Sequence, residues 1–111
     1  MTISYSVVDD ILADLLELPE FVNAPAFENI EVTIAHRLDD NAMGWSQYED
    51  DGVFSMELSK SRNKSFEDLK STIAHELIHI TLNNFDNEDD HDEEFQLFAK
   101  KVSDRIGIDV T

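Results

Sequence analysis

The sequence predicts an α+β domain in which a small antiparallel three-stranded sheet packs against about three helices. The apolar periodicity changes from helical to alternating and back again along the chain, which gives the order helix, three strands, two helices. With 111 residues and 41% hydrophobic content, the chain can form one core, so we expect a single domain over residues 1–111.

The first helix is predicted over residues 6–18. Ser6 and Asp9 have the spacing of a capping box, and Pro19 and Pro25 end the helical pattern. The apolar residues that share one helical face are Val7, Val8, Ile11, Leu12, Leu15 and Leu16.

Three strands are predicted next. Apolar and polar residues alternate over residues 30–34, which is typical of a half-buried strand. A second short strand is predicted over residues 43–48, with Trp45 as its large apolar residue. The acidic segment 49–52 then predicts a hairpin turn into a third alternating strand over residues 54–58.

Two helices complete the predicted fold. Ser65 and Asp68 indicate the start of a helix over residues 65–82, in which apolar residues recur every three or four positions. The last helix is predicted to begin near His91 and to stop at Gly107.

The composition limits the functions that the chain can perform. Eight Lys and Arg residues against 25 Asp and Glu residues give a formal net charge of −17, which repels phosphate backbones, so we expect no direct nucleic-acid binding. The absence of cysteine excludes disulfides and thiolate metal sites. The chain shows no secretory signal and no apolar stretch of membrane-spanning length, so a cytoplasmic location without membrane contact is expected.

The sequence His75-Glu76-Leu77-Ile78-His79 matches the H-E-x-x-H pattern within the second predicted helix. Residues four apart lie one turn above each other, so the two histidines can chelate one Zn²⁺ per chain. Glu76 then lies beside the metal, where it can act as the catalytic base for a zinc-bound water. The competing interpretation is a helix whose two histidines and glutamate are solvated.

A catalytic zinc site of this kind requires a third protein ligand. His91 is the first candidate, because it lies at the start of the next predicted helix, where a loop could return it to the metal. Glu93 and Glu94 are the alternatives, since a carboxylate can also supply the third bond.

These segments together resemble the SprT-like zinc metallopeptidase family. The resemblance runs from about Ile30 to Phe98 and includes a strand ending in Leu58-Ser59, the H-E-x-x-H helix and the segment His91-Asp92-Glu93-Glu94-Phe95. That last segment resembles the family's third-ligand pattern His-Gly-x-x-Phe/Trp, with Asp92 in place of Gly. The resemblance implies a zincin-like fold, zinc on His75, His79 and His91, and Glu76 as catalytic base.

Two functional hypotheses follow. The first is a zinc-dependent metallopeptidase that acts on peptide or protein substrates with basic or flexible segments, since the net charge of −17 attracts basic chains. Tyr48 is a weaker candidate in it, as an oxyanion donor. The alternative is an acidic binding protein or DNA mimic that inhibits a nucleic-acid enzyme and in which any zinc is inactive or structural.

Overall fold

The structure is a computed structural model that describes residues 3–85 and 93–110. The predicted α+β class and element order are confirmed. The helices and strands of the described residues are α1 (Tyr5–Leu16), β1 (Ile30–Ala35), β2 (Gly44–Asp50), β3 (Val53–Ser59), α2 (Phe66–Leu82) and α3 (Glu93–Ile106). None of these helices combines the length and the apolar content that crossing a membrane requires.

The sheet is mixed, so the prediction of an antiparallel sheet is wrong. The strand order is β1-β3-β2; the hairpin pair β2–β3 is antiparallel as predicted, but β1 pairs in parallel with β3. β3 takes the centre because it contains the most deeply buried residues of the sheet, including Met56 and Leu58. The chain after β1 crosses the end of β3, where Lys60 N–H donates to the Ala35 carbonyl at 2.8 Å.

The first helix begins earlier and ends earlier than predicted. Ser4, and not Ser6, is the N-cap, because its hydroxyl accepts a hydrogen bond from Val7 N–H at 3.2 Å. The helix ends at Leu16 because Leu18 precedes Pro19 and is held extended, at φ −72° and ψ 142°.

Helix α2 lies at the centre of the molecule and contacts α1, α3, β2 and β3. Its start is as predicted: the Ser65 hydroxyl accepts a hydrogen bond from Asp68 N–H at 3.0 Å. Neighbours on several sides bury most of its surface, so its polar side chains are buried together with its apolar ones. The buried residues are Leu69, Thr72, Ile73, Ala74, Glu76, Leu77, Ile78, His79 and Ile80.

Helix α3 is described from Glu93 to Ile106, and the predicted stop at Gly107 is confirmed by its positive φ of 73°. The predicted start near His91 lies outside the described residues. Near the helix end, the Arg105 guanidinium donates to both carboxylate oxygens of Glu20 at distances of 2.9–3.3 Å. This contact lowers the pKa of Glu20 and ties α3 to the turn that follows α1.

A buried amide network fixes β2 and β3 relative to α2. The Asn63 amide nitrogen donates to the Met43 carbonyl at 3.0 Å and to the Ser59 carbonyl at 2.7 Å. Its amide oxygen accepts from the Thr72 hydroxyl at 2.6 Å. Asn63 is only 1% exposed, and it joins the segment before β2, the end of β3 and the helix.

Replacing Asn63 with alanine should lower the free energy of unfolding by about 3 kcal/mol, because buried carbonyl and hydroxyl groups lose their partner. Asn23→Ala, at an exposed asparagine, is the control and should change stability by less than about 0.5 kcal/mol. The urea midpoint, compared at constant denaturant slope, measures both changes. A midpoint for Asn63→Ala equal to that of the wild type would show that the network does not hold the sheet against the helix.

Candidate functional site

The two histidines of the motif converge on one point. His75 and His79 lie one turn apart on α2, and their Nε2 atoms are 3.2 Å apart. The rings meet edge to face, with centroids 4.8 Å apart and an interplanar angle of 72°. His79 is 5% exposed, and the side chain of His75 is 18% exposed, so the pair opens to solvent on the His75 side.

The end of α2 sets the orientation of His79. Asn83 adopts the left-handed conformation, at φ 52° and ψ 47°, which asparagine tolerates better than most residues. The chain therefore turns back, so that Asn84 N–H reaches the His79 carbonyl at 3.1 Å and the Asn84 carbonyl lies 2.9 Å from His79 Nδ1. A carbonyl can only accept, so Nδ1–H donates; in the neutral form of the ring the lone pair then lies on Nε2.

Phe95 supports both imidazoles from α3. Its ring centroid lies 4.6 Å from that of His79 and 5.0 Å from that of His75. The side chain is 2% exposed and fills the space behind the pair. The face of α3 that carries Phe95 therefore packs against the histidines.

Glu76 lies beside the histidine pair and faces the sheet. Its Oε1 accepts a hydrogen bond from Ser46 Oγ on β2 at 2.7 Å, and its Oε2 lies 3.9 Å from His75 Nε2. Glu76 is 6% exposed, which is unusual for a carboxylate unless it serves a paired or functional role. Ser46 was not identified from the sequence, because strand register is needed to bring it to the helix.

Gly44 allows β2 to approach α2 closely enough for this contact. A Cβ atom at this position would lie 2.9 Å from Thr72 Cγ2, 3.2 Å from the Glu57 carbonyl oxygen and 3.3 Å from Glu76 Cγ. A glycine inside a predicted strand is a signal of close approach. This signal could have drawn attention to the strand–helix contact before the structure was known.

β2 is an edge strand of the sheet and presents backbone groups along the site. Ser59 N–H donates to the Met43 carbonyl at 3.0 Å, which marks a hydrogen-bonded antiparallel pair. The alternation of such pairs directs the backbone groups of Gly44, Ser46 and Tyr48 away from β3, toward the edge at which no other strand of the described residues pairs. A concavity of about 790 Å³ borders residues 45–48 of this strand, and neither the histidine pair nor Glu76 lines it.

The histidine pair has the spacing of two ligands on one zinc ion. Zinc–nitrogen bonds of about 2.0–2.1 Å at a tetrahedral angle place two nitrogens about 3.3 Å apart, close to the observed 3.2 Å. The hydrogen bond from His79 Nδ1 to the Asn84 carbonyl is the outer contact that zinc-binding histidines usually make. Two of the required donors therefore fit this metal.

The described residues do not complete the metal site. Within residues 3–85 and 93–110, no three His, Asp or Glu side chains are grouped so that they could hold a metal. The alternative ligands Glu93 and Glu94 are exposed in the first turn of α3. His91, the preferred third ligand, lies outside the described residues, so its assignment stays a prediction.

Tyr48 lies on the same face of β2 as Ser46, two residues further along. Its ring packs edge to face on Phe54, with centroids 5.2 Å apart, and its hydroxyl accepts a hydrogen bond from Gly52 N–H at 3.1 Å. The hydroxyl thus lies near the hairpin turn and keeps its own proton to donate. Its role as an oxyanion donor stays a prediction.

The fold and the site define an α+β domain in which a central helix carries a histidine pair and a buried glutamate beside the edge strand of a mixed sheet. The model of the SprT-like family matches residues 13–111 of this chain. The chain therefore belongs to the SprT-like family. No curated protein matches the sequence.

Gly44→Ala should lower the free energy of unfolding by about 1–3 kcal/mol, because the new methyl group pushes β2 away from α2. Thr72→Ser removes the methyl group that the new Cβ would meet at 2.9 Å and keeps the hydroxyl, so the double variant should regain part of the loss. Thermal unfolding of the wild type, both single variants and the double variant measures this. A fully stable Gly44→Ala protein would contradict the close approach.

Proposed function

We propose that this protein is a zinc-dependent metallopeptidase in which Glu76 is the catalytic base. The observation that carries the proposal is the placement of one buried carboxylate between two converging imidazoles and an open strand edge. Glu76 Oε2 lies 3.9 Å from His75 Nε2, and its Oε1 is held by the strand along which a peptide would lie. Membership of the SprT-like family supports the same activity.

His75, His79 and His91 would hold the zinc ion, with Glu93 or Glu94 as alternatives to His91. The fixed Nδ1–H of His79 and the packing of Phe95 on both rings hold the first two donors in place before a metal arrives. When bound, zinc supplies a Lewis acid that polarises a carbonyl and lowers the pKa of a water molecule toward neutrality.

Glu76 supplies the proton transfers of hydrolysis. Its Oε2 takes a proton from the attacking water as that water adds to the scissile carbonyl carbon. The same oxygen then delivers the proton to the departing amine as the carbon–nitrogen bond breaks, which completes the cleavage. The buried position of the carboxylate strengthens its interaction with these charged species.

The substrate would lie extended along β2. The backbone groups at this edge can pair with a peptide as an added strand. The net charge of −17 attracts basic chains, so we propose basic or flexible segments as substrates. Tyr48, further along β2, is our candidate for donating a hydrogen bond to the developing oxyanion.

The peptidase proposal accounts for the site better than mimicry of DNA. A mimic has no use for a buried carboxylate beside a histidine pair, and it needs an elongated acidic surface. The principal-axis extents of the Cα atoms are 32 × 31 × 28 Å, so no axis of the molecule is distinctly longer than the others.

Glu76→Gln should keep about one zinc per chain and lose hydrolysis by about 10²–10⁴-fold, because the amide cannot take the proton. The control is Glu67→Gln on the exposed first turn of the same helix, which should cleave like the wild type. The assay follows cleavage of a basic unfolded protein and zinc content together. Undiminished cleavage by Glu76→Gln would reject the assigned base.

A further inference from the structure

We propose that Ser46 is a positioning residue that holds Glu76 in the orientation required for catalysis. This inference rests on the proposed function and assigns a task to a side chain that the sequence motif does not contain. Ser46 lies on the edge strand and Glu76 on the central helix, 30 residues apart in sequence. Their hydrogen bond directly links β2, along which we propose that the substrate lies, with the proposed base.

The chemistry of the two groups fixes the direction of this bond. A carboxylate oxygen that carries no proton can only accept, so Ser46 Oγ–H donates to Glu76 Oε1 at 2.7 Å. Holding Oε1 against the strand leaves Oε2 on the side of His75, 3.9 Å from its Nε2. The serine therefore fixes the orientation of the carboxylate, with one oxygen on the strand and the other toward His75.

A second hydroxyl near the base, that of Thr72, already donates to other acceptors. Thr72 lies one helical turn before Glu76, but its hydroxyl lies 2.6 Å from the Asn63 amide oxygen and 3.0 Å from the Asp68 carbonyl, both of which only accept. Ser46 lies across from Glu76 on β2, is half-buried, and donates its hydroxyl to the carboxylate. The Thr72 hydroxyl therefore stabilises the fold, and the Ser46 hydroxyl binds the carboxylate.

The backbone of Ser46 gives the contact a second consequence. Antiparallel alternation directs its N–H and C=O to the open edge, where a peptide would pair, while its side chain points to α2. Ser46 would thus contact both the base and the backbone of a peptide paired along β2. A peptide paired with Ser46 and the carboxylate bonded to Ser46 would thereby be positioned relative to each other. Catalysis by proximity requires such fixed positioning of the reacting groups.

The activity test compares Ser46→Ala, which removes the donor, with Ser46→Thr, which keeps a hydroxyl on the same atom position. Ser71→Ala is the matched control, because its hydroxyl also makes a long-range bond, donating to the Asp109 carbonyl at 2.8 Å, away from the site. We expect kcat of Ser46→Ala to fall about 10–100-fold with KM and zinc affinity unchanged. Ser46→Thr and Ser71→Ala should stay within about threefold of the wild type.

A second readout needs no activity and uses the metal-free protein. A double-mutant cycle of Ser46→Ala and Glu76→Ala in urea unfolding should give a coupling factor of about tenfold in the unfolding equilibrium constant. The same cycle with Ser71→Ala in place of Ser46→Ala should be additive to within about twofold.

The outcomes separate the two proposals. Full kcat in Ser46→Ala, or a coupling factor near one, overturns the positioning role even if the wild type is an active peptidase. A zinc-loaded wild type that cleaves no substrate overturns the proposed function and removes the catalytic purpose of the contact, whatever the coupling factor. A fall in kcat that Ser46→Thr does not restore assigns the effect to strand packing and also overturns the role of the hydroxyl.

Discussion

The site depends on the close approach of the edge strand β2 to the central helix α2. Gly44 makes this approach sterically possible, since any Cβ there would press against Thr72 and Glu76. The buried Asn63 amide bonds to the segment just before β2, to the end of β3 and to Thr72 of α2, and so holds both strands close to the helix. If β2 lay farther from α2, the Ser46 hydroxyl could not reach the Glu76 carboxylate. The histidine pair would then lie beside open solvent and not beside a strand.

The same approach places polar groups where stability alone would favour apolar ones. Burying a carboxylate and an imidazole costs free energy unless each is hydrogen-bonded. Apolar residues of similar volume in such buried positions often leave the stability of the fold unchanged or raise it. In this structure Glu76 is bonded by Ser46, and His79 is bonded by the carbonyl of Asn84. The presence of these buried polar side chains on a core helix is most simply explained by a chemical role. That role is the basis of the proposed peptidase activity.

Much of this architecture could be predicted from the sequence, because its strongest features are local. The capping serine and apolar periodicity located α2, and the spacing of four residues placed His75 and His79 on one face. The features that were missed are non-local. Alternation identifies strands but not their neighbours, so the parallel pairing of β1 with β3 and the meeting of Ser46 with Glu76 could not be read from it. The predicted start of α1 is wrong because the spacing of Ser6 and Asp9 resembles a capping box, whereas the hydroxyl that caps the first turn belongs to Ser4.

If His75, His79 and His91 form one zinc site, the zinc content of the purified protein should depend on His91. The measurement compares the wild type with His91→Ala and with His36→Ala, a control at an exposed histidine after β1. We predict about one zinc per chain in the wild type and the control, and a lost or sharply weakened site in His91→Ala. Full occupancy in His91→Ala would move the third ligand to Glu93 or Glu94. Absence of zinc from the wild type, even after reconstitution, would exclude the zinc site and the peptidase activity that depends on it.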